Sequence, residues 1–134
     1  MDLEIKKIDK EVEDLLVRLA RRFSAEDIQR IGDAYALARE AHMAQRRKSG
    51  EPYIMHPVAV AKIVAEELRL GANPIIAAFL HDVVEDTPYT IEDISERFGD
   101  DVAFLVNVVT KKKKKNANVK SSSQIDNYKQ MLDS

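Results

Sequence analysis

The chain has no cysteine. Disulfides, thiolate catalysis and cysteine-type zinc sites are therefore excluded, and the cysteine-free composition fits a cytoplasmic location. Missing too is any apolar run approaching the roughly 18 residues of a membrane span. The amino terminus, M-D-L-E-I-K-K, is charged and lacks the apolar core of a signal peptide. No stretch alternates apolar and polar residues cleanly enough to predict a strand. There is no charge excess: 21 basic and 23 acidic residues leave a formal net charge of −2, which predicts no general affinity for nucleic acid or an anionic membrane. Internal repeats are absent, and histidine occurs only three times.

What remains is helical periodicity. With 134 residues, 45% of them hydrophobic, the chain can bury a real core as a single domain. Leu3, Ile5, Ile8, Val12, Leu15, Leu16 and Leu19 recur at mostly three- and four-residue spacing and predict an amphipathic helix over 3–22. Ser24, with Asp27 three residues on, predicts a capped helix over 25–45 that turns Ile28, Ile31, Ala34, Tyr35, Ala38 and Ala41 inward. A polar loop, R-R-K-S-G-E-P, follows. Pro57 should open a third helix that ends at Gly71, with His56 at its mouth and biased away from the α region. Asn73-Pro74 predicts the cap of a fourth helix ending at Thr87-Pro88. Thr90 with Asp93 caps a short helix broken by Gly99. Asp100 caps a helix over 101–109, apolar at Val102, Phe104, Leu105, Val106, Val108 and Val109. Residues 111–123, rich in lysine and serine, read as an exposed, mobile connection, and 124–132 as a last amphipathic segment. The expectation is an all-α bundle of six or seven helices.

The fourth helix carries the chemistry. In I-I-A-A-F-L-H-D-V-V-E-D, an apolar helix of the kind normally buried bears His81, Asp82, Glu85 and Asp86. One-turn spacing stacks His81 on Glu85 and Asp82 on Asp86. Three carboxylates there would repel one another and cost several kcal/mol to desolvate unless a cation meets them. Histidine plus aspartate is a ligand pair for a divalent ion, and a short return loop would bring His56 beside His81. Two imidazoles and a carboxylate leave coordination positions open, as hydrolytic metals require. Glu85 and Asp86, one turn on, would orient a water or take its proton; the alternative for them is a solvated helix end. Arg46, Arg47, Lys48 and Ser49 gather three cations and a hydroxyl near His56, which suits a phosphorylated nucleotide as well as a plain solvated turn. His42, among alanines and charges, reads as a surface or satisfied core histidine, and Lys111–Lys115 as a solvated run.

Three segments carry a resemblance: A-H-M-A-Q-R-R-K-S-G-E-P-Y-I-M-H-P, A-A-F-L-H-D-V-V-E-D-T and F-G-D-D-V-A-F-L-V-N-V-V-T-K. Over roughly residues 25–132 the sequence resembles the N-terminal hydrolase region of RelA/SpoT-type proteins, the bifunctional (p)ppGpp synthetase/hydrolases of the bacterial stringent response, within the HD-domain phosphohydrolase superfamily. The resemblance implies an HD-type helical bundle that hydrolyses the 3′-pyrophosphate of (p)ppGpp to GDP or GTP and pyrophosphate. It implies metal ligands at His56, His81 and Asp82, with Mn²⁺ the usual ion; water-handling acids at Glu85 and Asp86; and guanosine-nucleotide contacts at Arg47, Lys48 and Ser49. The family's fourth ligand, an aspartate in L-A-D-R-L-H-N, has no match here, and V-V-T-K-K stands where the family has G-V-T-K-L. The expectation is therefore one incomplete HD domain over 1–134, weakly active or inactive alone, with synthetase and regulatory domains following in a longer protein. A hydrolase for another nucleotide and a non-catalytic nucleotide-binding module are the alternatives.

Overall fold

The computed structural model describes residues 3–116, with side chains through residue 109. Its described residues form six α-helices and one π-helical turn: α1 (Leu3–Leu19), α2 (Ala25–Ala41), α3 (Met55–Lys62), the π turn (Ile63–Glu67), α4 (Ala72–Asp86), α5 (Ile91–Phe98) and α6 (Asp100–Asn116). The expected all-α architecture is met.

Helix α4 is the axis of the bundle, packing against α2, α3 and α6. Every residue from Ile75 to Val83 is buried, so this helix has no solvent face along its middle two turns. Around it the amphipathic helices each supply one stripe. In α1 the stripe is Ile5, Ile8, Val12, Leu15 and Leu19, spaced three and four apart as a helical face requires. Leu3, expected on that stripe, is exposed. In α6, Val102, Val106 and Val109 face the core while Phe104 stands exposed, because position 104 falls outside their four-then-three register.

Helix starts follow the predicted caps in part. The Ser24 side chain accepts the Asp27 amide at 3.1 Å. Thr90 and Asp93 form a reciprocal capping box at 2.9 and 3.1 Å. Asn73 is not a cap: α4 begins at Ala72 behind Gly71, and the Asn73 side chain instead accepts Arg30 at 2.9 Å. His56 is helical despite the following proline, since α3 begins at Met55.

Helix α2 ends at Ala41 rather than near 45, and α3 departs from expectation more sharply. It widens into the π turn, where the Leu68 amide reaches back five residues to the Ile63 carbonyl at 2.9 Å. The chain then reverses at Arg69, with φ of 53°, a left-handed conformation costing a non-glycine residue about 1–2 kcal/mol. Gly71, the expected terminator, has φ of −73°. Arg22 offsets the strain: its guanidinium donates to the Ala65 carbonyl at 2.8 Å and to the Leu70 carbonyl, satisfying acceptors that the ending helix leaves exposed. This clamp fixes the return loop that sets α3 beside α4.

The backbone of Lys111–Lys115 is helical, continuing α6 to Asn116, where the sequence suggested the start of a connection. The rest of that connection and the segment 124–132 lie outside the described residues. None of the described helices is long and apolar enough to cross a membrane.

Candidate metal centre

Three side chains converge where the start of α3 meets the middle of α4. His56 lies in the first turn of α3; His81 and Asp82 are adjacent on α4. Their ligand atoms all lie within 4.8 Å of one another, and all three residues are buried. His81 Nε2 is 3.0 Å from Asp82 Oδ1, and His56 Nε2 is 3.8 Å from Asp82 Oδ2. The two imidazole rings meet edge-on with centroids 6.3 Å apart.

The donor set suits a divalent cation. His81 Nδ1 lies 3.4 Å from the Ala78 carbonyl, an acceptor that favours the tautomer with the proton on Nδ1. In neutral imidazole this leaves an Nε2 lone pair facing a carboxylate oxygen. Two acceptors at 3.0 Å repel unless a proton or a metal ion lies between them. Tetrahedral ligands about 2.0–2.2 Å from an ion lie roughly 3.3–3.6 Å apart, so a spread within 4.8 Å needs at most about 1.5 Å of closure, within reach of side-chain rotation. His56, His81 and Asp82 are placed to hold such an ion.

Asp82 is prepared for that task electrostatically. Before an ion binds, burial pushes its carboxyl up, but a protonated His81 that donates to it, the Tyr53 hydroxyl and the charge of His56 together hold it well below the usual carboxylate range; a bound cation takes the place of those imidazole protons. The aspartate is thus an anion in a buried place.

Tyr53 is the participant that sequence reasoning missed. Its hydroxyl donates to Asp82 Oδ2 at 2.6 Å, the length of a charge-assisted bond. Burial, the bond to Asp82 and the charges of Asp82 and Asp86 raise the phenol far above its ordinary value, with Arg47 opposing. Tyr53 therefore stays protonated and lies within electrostatic reach of both Asp86 and Arg47. The available signal was a tyrosine three residues before His56.

The remaining candidates flank this centre. Glu85 is half-buried and Asp86 exposed in the last turn of α4, each one turn beyond a metal-site residue. That turn contains no basic residue, so both acids oppose the negative end of the helix dipole. Arg47, Lys48 and Ser49 lie exposed on a tight hairpin. The hairpin is closed by pairing of Arg46 with Pro52, by the Arg47 amide on the Glu51 carbonyl at 2.9 Å, and by the Gly50 amide on the Arg47 carbonyl at 2.8 Å. Gly50 takes φ of 92° there, a conformation suited to glycine. The Ser49 hydroxyl bonds Glu51 at 2.9 Å. His42, expected at the surface or satisfied in the core, is buried at the end of α2, with Nδ1 bonded to Gln45 and Nε2 without a hydrogen-bond partner among the described residues.

Comparison with known proteins places this geometry in a family. The chain is 47% identical over 118 residues to the bifunctional (p)ppGpp synthase/hydrolase SpoT of Escherichia coli K12, covering 87% of this chain and 17% of the relative. It is 46% identical over 126 residues to the guanosine-3′,5′-bis(diphosphate) 3′-pyrophosphohydrolase of Aquifex aeolicus, covering 93% of this chain and 17% of that one. The chain thus spans about a sixth of the length of these relatives. A solved structure of a metazoan SpoT ortholog, described as hydrolysing ppGpp, superposes with a TM-score of 0.64 at 30% identity, covering 78% of this chain and 65% of that one. Residues 34–134 match the HD domain model; the chain belongs to the HD-domain family.

Proposed function

We propose that this chain is the hydrolase region of a longer (p)ppGpp synthetase/hydrolase and removes the 3′-pyrophosphate of guanosine tetra- or pentaphosphate in the cytoplasm. The observation that carries the reading is the buried His56–His81–Asp82 cluster, within 4.8 Å, in a chain 47% identical to a named (p)ppGpp synthase/hydrolase.

His56, His81 and Asp82 would hold a divalent ion, Mn²⁺ in this reading, which would supply Lewis acidity at a phosphoryl oxygen and acidify water near neutral pH. Glu85 and Asp86 orient the attacking water and accept its proton as the oxygen adds to the 3′-phosphorus. The bond from that phosphorus to the ribose 3′-oxygen breaks, and the proton taken from the water passes on to that oxygen, leaving the 3′-hydroxyl of GDP or GTP and free pyrophosphate. Arg47 and Lys48 meet the phosphate charge, and arginine's flat guanidinium also stacks on a base. The Ser49 hydroxyl adds a polar contact on the same hairpin. Asp82 is kept anionic by its buried partners, while His56 and His81 give up a ring proton to take the ion, so metal affinity should fall as pH is lowered.

Labelled ppGpp incubated with Mn²⁺ and a form of the protein extending beyond Ser134 tests the reading. Pyrophosphate release that disappears in His81→Ala is the expected result. No release by the extended protein would sink the assignment.

A further inference from the structure

We infer that His42 is a positioning residue for the metal centre, acting through Tyr53 on Asp82 and through Gln45 on the end of α4. The inference rests on the metal-site reading above and extends it to residues with no ligand role.

His42 is 1% exposed and caps the carboxyl end of α2. Its ring lies tilted against Tyr53, with centroids 4.8 Å apart and planes at 42°. His56 approaches Tyr53 at 6.0 Å, edge to face. The backbone of Tyr53 is tied down as well, its amide donating to the Gln45 carbonyl at 3.0 Å. The phenol is therefore held between two imidazoles with its hydroxyl on Asp82 Oδ2. A ligand of this kind must be kept within about 0.5 Å of its productive position, and His42 supplies part of the wall that does so.

The second arm runs through Gln45. The Gln45 Nε2 donates to the Asp86 carbonyl at 3.4 Å, which orients the carboxamide and turns Oε1 toward His42. His42 Nδ1 lies 2.9 Å from that oxygen and so carries the proton. Gln45 thereby links the end of α2 to the backbone at Asp86, beside Glu85. One histidine thus braces a metal ligand on one side and the water-handling acids on the other.

Packing alone does not account for histidine at this position. Its Nε2 is buried and without a hydrogen-bond partner among the described residues, a cost an apolar side chain of similar size would avoid. The polar edge that is satisfied is the one aimed at Gln45.

Titration calorimetry of the chain with Mn²⁺ alone, in the absence of nucleotide, tests this. His42→Ala is expected to weaken Mn²⁺ about 10-fold or more, as does loss of other groups that orient a ligand, and Tyr53→Phe is expected to do the same. The double variant should be no weaker than roughly the poorer single variant, since the Gln45 arm ends on the Asp86 backbone and the ion feels both residues through the one Tyr53 hydroxyl. His42→Phe, which keeps the ring face, should recover most of the affinity lost in His42→Ala. Unchanged affinity in Tyr53→Phe or His42→Ala overturns the inference, as do losses that multiply in the double variant. Should His42→Ala not fold, His42→Leu, which fills the space without a ring face, decides it together with Tyr53→Phe: loss of affinity in both supports the inference, and any other pairing overturns it. A wild-type chain that binds no Mn²⁺, or a His81→Ala variant that binds as well, overturns the metal-site reading itself. Metal binding by wild type that is indifferent to His42 overturns only the bracing role.

Discussion

Occupation of the His56–His81–Asp82 cluster by a divalent ion should raise the melting temperature of this chain by an amount the ion's affinity dictates. The three ligand atoms come from two helices, and His56 reaches Asp82 only when α3 is folded back along α4 by the return loop that Arg22 clamps. The unfolded chain has no such arrangement, so metal affinity converts to folding free energy. At a metal concentration 100 times Kd the gain is about 2.7 kcal/mol. For 134 residues the unfolding entropy is roughly 0.3 kcal/mol per kelvin, so the transition should rise by ~10 °C. Scanning calorimetry with stepwise Mn²⁺, against an EDTA baseline, measures it. His81→Ala supplies the control, read as the metal-dependent shift, because truncating a fully buried residue lowers the baseline for unrelated reasons. A wild-type transition that stays put up to roughly 10 mM metal, or one that shifts equally in His81→Ala, would refute the assignment of the ligands.

Two further predictions concern the scaffold. Burial, followed by the 2.5 Å hydrogen bond to Asp9, raises the Tyr35 phenol above its ordinary value. A group raised on folding contributes stability that is intact below the unfolded pKa and lost as pH climbs through the folded one, so stability should decline above about pH 10. Tyr35→Phe should cost about 1.5–3 kcal/mol at neutral pH and flatten the alkaline decline, both read from urea denaturation at pH 7 and 11; an unaltered alkaline slope would count against the argument. Phe79 is fully buried in α4 and meets Tyr35 edge to face at 5.8 Å. Phe79→Ala should cost about 3–5 kcal/mol by the same measurement, and a loss below roughly 1 kcal/mol would mean that this site collapses around the cavity or packs otherwise.

Much of the frame was legible because its causes are local. The α1 stripe, the Ser24 cap and the Thr90–Asp93 box each follow from residues within a few positions of one another. The ends of α2 and α3 were not, and both errors have tertiary causes. His42 through Gln45 are unremarkable helix formers, but the His42 ring tucks under Tyr53 and the Gln45 carbonyl accepts the Tyr53 amide, so α2 stops at Ala41. The stretch after Lys62 has no breaker before Gly71, yet the π turn and Arg22 bring the reversal to Arg69. The convergence of His56, His81 and Asp82 was legible because a histidine and carboxylates on an otherwise apolar helix cannot be explained as packing. Tyr53 and His42 were not, since an aromatic residue announces burial but not where its hydroxyl or ring nitrogen will end.

The placement of the centre on α4 has a physical logic. A carboxylate that must remain ionised yet dry needs fixed donors around it, and only a helix buried along its length can surround Asp82 with them. That same burial places Glu85 and Asp86 against the negative end of the helix dipole, with no basic residue in the turn to offset them. Taken by itself, the last turn of α4 is unfavourable to a phosphorylated ligand. The exposed basic hairpin Arg46–Lys48 counters the field from one side, and a cation on His56, His81 and Asp82 counters it from within. On the proposed reading, an anionic nucleotide is drawn to this end of α4 more strongly once the cation is in place, so the groups behind Asp82, Tyr53 directly and His42 through its contact with Tyr53, would bear on nucleotide binding as well as on the ion.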